Sequence, residues 1–203
     1  MGAEFYGEDF QGPDVAPFVG INTFLHLPWV KNHKELLEVK PDVAIIGEPF
    51  DFGTTIRPGA RYGPRAIRAA STIPSPPFER FNIETGADPF GTFRTVDYGD
   101  VNVTPGDVIG SHKSMTLKVK EVLEADGIPV MLGGDHSITY ANVRAFQKKF
   151  KNIGMIHFDT HADCAPQGLT GFKYDHGAHI RRIMEMGCLK GKNYSLVGPR
   201  GYW

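Results

Sequence analysis

The sequence predicts an α/β fold in which a parallel sheet is built from strands that alternate with helices. Two observations carry this prediction. Short, continuously apolar runs are typical of strands that are buried on both faces. Amphipathic helical patterns lie between successive runs. The apolar runs fall at residues 43–47, 129–132, 153–158 and 194–198.

The first half of the chain is predicted to hold two strands and one helix. The run VAIIG at 43–47 forms the first buried strand. A helix is predicted over residues 64–71, because proline at its start occupies the first turn, where its missing N–H costs nothing. The proline-rich stretch that follows is mostly loop. It contains a short strand near 95–98, and Asp97 and Asp100 are assigned to a turn.

The second half has a clearer helical periodicity. Met115, Val119, Val122 and Leu123 share one helical face, and Gly127 is a suitable end for that helix. Two further helices are predicted between the later strands. They cover residues 138–151 and 178–186.

The chain is predicted to form one domain, with residues 1–40 as an irregular N-terminal arm and residues 41–203 as an α/β domain. The arm contains scattered prolines and aromatic residues. We expect it to lie over the domain or against a partner subunit.

Composition limits the range of functions. The chain has 203 residues, 22 Lys and Arg against 23 Asp and Glu, and a formal net charge of −1. This balance argues against nucleic acid or a membrane surface as the main partner. Two cysteines cannot build a disulfide framework, so a reducing cytoplasm fits best. No apolar run reaches the roughly 18 to 20 residues of a membrane-spanning helix.

The strongest chemical motif is Asp-Thr-His-Ala-Asp, which follows the predicted strand 153–158. Alternate side chains of an extended backbone share a face, so Asp159, His161 and Asp163 are expected to converge. Two carboxylates and an imidazole are suitable ligands for manganese, nickel or zinc. The alternative is a polar loop in which an aspartate caps the next helix.

A second motif, Gly-Gly-Asp-His-Ser, follows the predicted strand 129–132. Its glycines permit a tight turn and leave space for a ligand. Because parallel strands end at one edge of a sheet, His136 is expected beside Asp159. Taken alone, such a histidine is more often structural, but the first motif beside it favours His136 as a ligand. Two divalent ions roughly 3.5 to 4 Å apart at such a site would lower the pKa of a water molecule between them.

The segments GGDHS and HFDTHAD resemble signature motifs of the ureohydrolase family, which includes arginase and agmatinase. The segment EPFDFGTTIRPGARYGPRAIR resembles a loop of the agmatinase-like branch. The resemblance extends from about residue 41 to the end of the chain. It implies a three-layer arginase-like fold with a parallel sheet between helices. It also implies two bound divalent ions, most often manganese with nickel as an alternative, and a homo-oligomer (a trimer or hexamer).

The resemblance also implies roles for individual residues. His136 and Asp163 correspond to ligands of one metal ion, His161 corresponds to a ligand of the second, and Asp159 corresponds to a bridging ligand. His176 corresponds to the loop histidine that carries a proton to the leaving amine, a task suited to a group that titrates near neutral pH. An ordinary surface histidine is the alternative for His176.

The chain ends before the family's third motif, an Asp-x-Asp pair that completes both metal sites. We therefore expect either a fragment of a longer enzyme, with a sheet that is incomplete at the C-terminal end, or a catalytically inactive chain. The fragment is the preferred interpretation.

The expected reaction is metal-dependent hydrolysis of a guanidino compound to urea plus an amine or ammonia. Ala178 stands where agmatinases more often have Thr or Ser, so guanidinobutyrate, guanidinopropionate and guanidine are alternatives to agmatine. A different class of function is a non-catalytic subunit or pseudoenzyme that acts through oligomer contacts. A deacetylase-like hydrolase with one zinc ion is a third possibility, although the GGDHS motif argues against it.

Overall fold

A computed structural model describes residues 18–73, 81–169 and 171–201. The described chain divides into two compact units. The first unit takes its residues from 18–47, 62–73, 81–100 and 121–132. The second takes its residues from 48–61, 101–120, 133–169 and 171–201.

Three strands form a hydrogen-bonded sheet in the order β2-β1-β3. They are β1 (Val43–Glu48), β2 (Thr95–Asp100) and β3 (Ile128–Gly133). β1 and β2 are parallel, with Val43 opposite Thr95. β1 is buried from its second residue onward, as its apolar sequence predicts.

The first unit also contains three helices, α1 (His33–Val39), α2 (Gly63–Thr72) and α3 (Pro89–Thr92). α1 corrects the prediction that the first 40 residues are irregular. Its N-terminus is capped by the side chain of Asn32, which accepts a hydrogen bond from the N–H of Glu35 at 3.0 Å. Leu36 on the same helix is fully buried. The first 17 residues of the expected arm lie outside the described residues.

Arg68 on α2 pairs with two carboxylates of β2. Its Nε and Nη2 donate to Asp97 at 2.7 and 2.9 Å, and its Nη1 donates to Asp100. Asp97 is only 1 % exposed. The assignment of these two aspartates to a turn is therefore wrong, because both lie within β2 as partners of a buried guanidinium.

The second unit contains two parallel strands, β4 (Ile153–Phe158) and β5 (Leu189–Val197). β4 has the bounds that the sequence predicts, whereas β5 begins five residues earlier than predicted, since 194 − 189 is 5. A cluster of buried side chains lies near the start of β5. Its members are Val143, Ile180, Ile183, Cys188 and Leu189.

The remaining helices are α4 (Val108–Glu124), α5 (Ile138–Lys149) and α6 (His179–Glu185). The apolar face predicted for α4 is buried throughout. Short 3₁₀ segments occur at Phe24–His26 and Ala60–Tyr62. Among the described helices, none combines the length and apolar character that crossing a bilayer requires.

Candidate metal centre

A glycine turn after β3 positions His136. Gly134 has φ of 62°, and a Cβ atom there would lie 2.5 Å from the carbonyl oxygen of Glu48. Glycine is therefore required at this close approach. Asp135 secures the turn, because its Oδ2 accepts the N–H of Gly53 at 2.8 Å and its Oδ1 accepts the N–H of Ser137 at 2.8 Å. Asp135 therefore accepts the N–H of the residue at which α5 is capped.

Asp159 and Asp163 lie on a curved segment that follows β4. The N–H of Asp159 donates to the carbonyl of Val197 on β5 at 3.1 Å, so the first carboxylate is fixed by the sheet. Asp163 has φ of 46°, in the left-handed region that aspartate tolerates better than most residues. Its carbonyl accepts the N–H of Ile180 at 3.1 Å, which links the curved segment to α6.

Three of the four predicted metal ligands come together. Nδ1 of His136 lies 3.0 Å from Oδ2 of Asp159 and 3.0 Å from Oδ2 of Asp163. His161 lies to the side of this group. Its ring Nδ1 is 3.7 Å from the other oxygen of Asp159, and its side chain is 52 % exposed.

The electrostatics of the group favour a positive charge. Burial opposes ionisation of His136, but hydrogen bonding and the charges of Asp163 and Asp159 outweigh it and raise the pKa of His136. Burial likewise acts against ionised Asp159, yet the N–H of His161 and the nearby His136 hold the pKa of Asp159 below its ordinary value. The carboxylate therefore stays ionised and available to a cation.

Two further histidines reach this group. His157, at the penultimate position of β4, places Nδ1 2.7 Å from the hydroxyl of Tyr194 and Nε2 3.5 Å from Oδ2 of Asp159. His179 places Nδ1 3.6 Å from Oδ2 of Asp163, and burial together with the charge of His136 lowers the pKa of His179 to about 4.

The position of one of these histidines could have been predicted from its spacing in the sequence. His157 precedes Asp159 by two residues on a strand, so the period-two pattern puts both on one face. His179 has no comparable pattern, since it enters the group from α6.

The donor set fits a divalent ion. Ligand atoms of His136, His157, Asp163 and His179 lie within 4.8 Å of one another. Among the described residues, Nε2 of His179 is buried and makes no hydrogen bond, and Nε2 of His157 has the carboxylate of Asp159 3.5 Å away. Buried polar atoms are normally paired, so imidazole nitrogens in these surroundings indicate a place for a cation.

His176 is held by the loop that follows β1. Its backbone N–H donates to the carbonyl of Gly53 at 3.0 Å, and its ring Nε2 lies 3.2 Å from the hydroxyl of Thr55. That hydroxyl donates to Oδ2 of Asp175 at 2.9 Å. The ring of His176 is thus positioned by Thr55, a residue that the sequence did not single out.

Imidazoles and carboxylates that come together within the second unit define an α/β protein with a candidate metal centre. The Arginase family matches residues 41–203, and the chain belongs to this family.

Relatives and solved structures agree with this membership. The chain is 38% identical over 187 residues to the mitochondrial agmatinase of Gallus gallus, covering 92% of this chain and 52% of the relative. It is 40% identical over 187 residues to the mitochondrial guanidino acid hydrolase of Homo sapiens, covering 92% and 50%. The structure of proclavaminate amidino hydrolase from Streptomyces clavuligerus superposes with a TM-score of 0.77 at 31% identity, covering 92% of this chain and 59% of that one. The chain thus spans about half the length of the two relatives.

Proposed function

We propose that this chain carries part of the active site of a guanidino-compound hydrolase, which releases urea plus an amine or ammonia. The observation that carries the proposal is the approach of Asp159 and Asp163 to a single nitrogen of His136, at 3.0 Å each. Membership of the Arginase family supports the same chemistry.

The proposed metal ligands are His136, Asp159, His161 and Asp163. Asp159 suits the bridging role, because its two oxygens face different imidazoles, His136 at 3.0 Å and His161 at 3.7 Å. A divalent ion pair bound there would supply Lewis acidity and lower the pKa of a water molecule. The N–H of His161 donates to Oδ1 of Asp159 at 2.8 Å and orients that oxygen.

His176 is the proposed proton carrier. The hydroxyl of Thr55 donates its only hydrogen to Asp175. Its oxygen can therefore only accept a hydrogen bond from Nε2 of His176. The proton of the neutral ring therefore resides on Nε2, and Nδ1 is the atom that gains and loses the transferred proton. Fixing the tautomer in this way prepares the ring for general acid–base work.

The proposed substrates are agmatine, guanidinobutyrate, guanidinopropionate and guanidine. An agmatinase and a guanidino acid hydrolase among the relatives support this class. Manganese is the proposed metal, with nickel as the alternative, because carboxylate oxygens suit manganese and imidazole nitrogens suit nickel. A homo-oligomer and a cytoplasmic location remain predictions from the sequence.

The test is urea release by the full-length enzyme loaded with manganese or with nickel, measured for each of the four substrates. Asp159→Asn should abolish urea release and lower the bound metal. His176→Asn should retain the metal and slow turnover, because it removes only the proton carrier.

His33→Asn is the matched control for the second variant. His33 is an imidazole of the first unit, 3.7 Å from Glu124, and its replacement should leave urea release unchanged. A full-length enzyme that binds metal but releases no urea from any substrate would contradict the proposal and favour a non-catalytic role. Loss of metal from His176→Asn would contradict the role given to that residue.

A further inference from the structure

We propose that a cavity beside α5 and α6 binds the oxyanion of a small organic molecule, either a carboxylate or a phosphate. The cavity has a volume of about 320 Å³ and lies within the second unit of the chain. The residues that line it are Tyr140, Lys173, Tyr174, Arg182, Glu185 and Met186. None of them is a proposed metal ligand or the proposed proton carrier, so binding here does not require guanidino hydrolysis.

Arg182 on α6 gives the cavity a buried cation. Its side chain is 9 % exposed, and its Nη2 donates to Oε1 of Glu185 at 2.8 Å. Its Nε is buried and makes no hydrogen bond to any described residue. A guanidinium carries five N–H donors, so Glu185 uses only part of this capacity. The remaining donors favour an acceptor that is itself negatively charged.

The lining of the cavity carries more positive than negative charge. Lys173 and Arg182 contribute two cations, against the single carboxylate of Glu185. That carboxylate is also shared outside the cavity, because its Oε1 accepts from Nε of Arg181 at 3.2 Å. An excess of cations around a concave surface attracts an anion.

Two tyrosines add neutral donors and an aromatic wall. The rings of Tyr140 and Tyr174 have their centroids 5.4 Å apart, and the buried ring of His112 lies against both, at 5.7 and 5.4 Å. Burial and the neighbouring Tyr174 raise the pKa of Tyr140, although two nearby arginines oppose the change. Its hydroxyl therefore keeps its proton at neutral pH and can donate to an oxyanion.

The size and lining of the cavity select the kind of ligand. Its volume lies at the lower end of the range of about 300–1,000 Å³ that is typical of small-molecule pockets. The tyrosine rings and the thioether of Met186 offer a surface on which an apolar body can pack. A single ring that carries one oxyanion matches both features. Phenyl phosphate and benzoate are therefore suitable probes, and benzyl alcohol is their neutral counterpart.

The experiment is calorimetric titration of the metal-loaded full-length enzyme with each probe. At least one of the two anions should bind saturably, and benzyl alcohol should bind at least about 10-fold more weakly. Tighter binding of phenyl phosphate would identify the ligand group as a phosphate, and tighter binding of benzoate would identify it as a carboxylate. Absence of saturable binding by either anion, or equal affinity for benzyl alcohol, would overturn the proposal.

Variants separate this cavity from the metal centre, which could also attract an anion. Lys173→Gln and Arg182→Gln should each weaken binding of the anion by about 10-fold or more, because each removes a charged donor. Lys190→Gln, which replaces an exposed lysine of β5, is the matched control and should leave the affinity unchanged. Affinity that survives the substitution of Lys173, or that falls equally in the control, would overturn the site. Circular dichroism shows whether Arg182→Gln folds, and Lys173→Gln decides if it does not.

Discussion

Two aspartate pairs in this molecule have opposite surroundings. In the first unit, Asp97 and Asp100 face the guanidinium of Arg68, which donates to both. In the second unit, Asp159 and Asp163 face the imidazole of His136. Both pairs bring two carboxylates to one basic side chain, and the second lies in a group that also contains His157 and His179.

The difference lies in the basic partner. A guanidinium is always charged and has enough donors for two carboxylates, so the Arg68 cluster is complete by itself. An imidazole is a weaker base with at most two donors. It leaves the carboxylates of Asp159 and Asp163 partly unsatisfied and available to a metal ion. The first cluster therefore stabilises the fold, and the second is suited to binding.

The largest expected effect is on stability. Arg68→Ala would leave Asp97 buried without its partner, and losing one partner of a buried ion pair costs about 3–5 kcal/mol of unfolding free energy. Urea denaturation measures this loss. Arg65→Ala, an exposed arginine on the same helix, is the control. Equal effects of the two substitutions would show that the Arg68 cluster is not structural.

In the cluster around His136, the corresponding substitution is Asp163→Asn, and it should act on metal binding. Asp163→Asn removes a charge but tolerates the left-handed backbone at φ of 46°. We expect metal affinity to fall by more than about 100-fold, while the unfolding free energy of the metal-free chain changes by less than about 1 kcal/mol. Calorimetric titration and urea denaturation measure the two quantities. A large loss of stability with unchanged metal affinity would show that Asp163 stabilises the fold and does not bind the metal.

A buried acid that has no cationic partner among the described residues should keep its proton. Glu48 is fully buried against the amide of Asn142, and burial raises the pKa of Glu48 to about 8 although the hydrogen bond from Asn142 opposes the change. Between the unfolded pKa near 4.5 and the folded value, the folded state binds the extra proton. The contribution of Glu48 to stability is therefore greatest below pH 4.5 and falls as the pH rises towards 8.

Glu48→Gln tests this pH dependence. The unsubstituted chain should lose up to about 1.4 kcal/mol of unfolding free energy per pH unit between about pH 5 and 8 from this group, and the variant should lack that contribution. Urea denaturation at pH 6 and pH 7 gives the slope for both chains. Identical slopes would mean that Glu48 is ionised in the fold.

The smallest expected effect concerns Thr55. Thr55→Val removes the acceptor that fixes the ring of His176, and a lost hydrogen bond of this kind costs about 0.5–1.5 kcal/mol. Urea release should slow by about 2- to 10-fold, with the bound metal unchanged. Thr55→Ser should restore the rate. A variant that loses its metal instead would place Thr55 in the metal centre.

The local sequence pattern predicted the positions of the strands better than it predicted how exposed their side chains are. The runs that became β1 and β4 were both recognised as apolar strands, and β4 has the predicted bounds. β1 is almost wholly buried, whereas Ile156 and Phe158 on β4 are 69% and 76% exposed in the described chain. An apolar run shows that a strand can be buried, but only the tertiary structure shows which faces are covered.

The same limit applies to the candidate site. His136, Asp159 and Asp163 could be placed together because strand ends share an edge. His179 comes from a helix, and no periodicity in the sequence relates it to the strand ends. Arg68 and Asp97 are similar, since 97 − 68 is 29 positions of separation and no spacing pattern relates the two residues. Long-range pairs of this kind depend on how the elements pack.

Anomalous X-ray scattering from crystals of the chain grown with manganese tests the central claim most directly. We expect an anomalous peak within coordination distance of His136, Asp159 and Asp163. A map without such a peak, in which these three side chains remain paired with one another, would contradict the assignment of a metal centre to this chain.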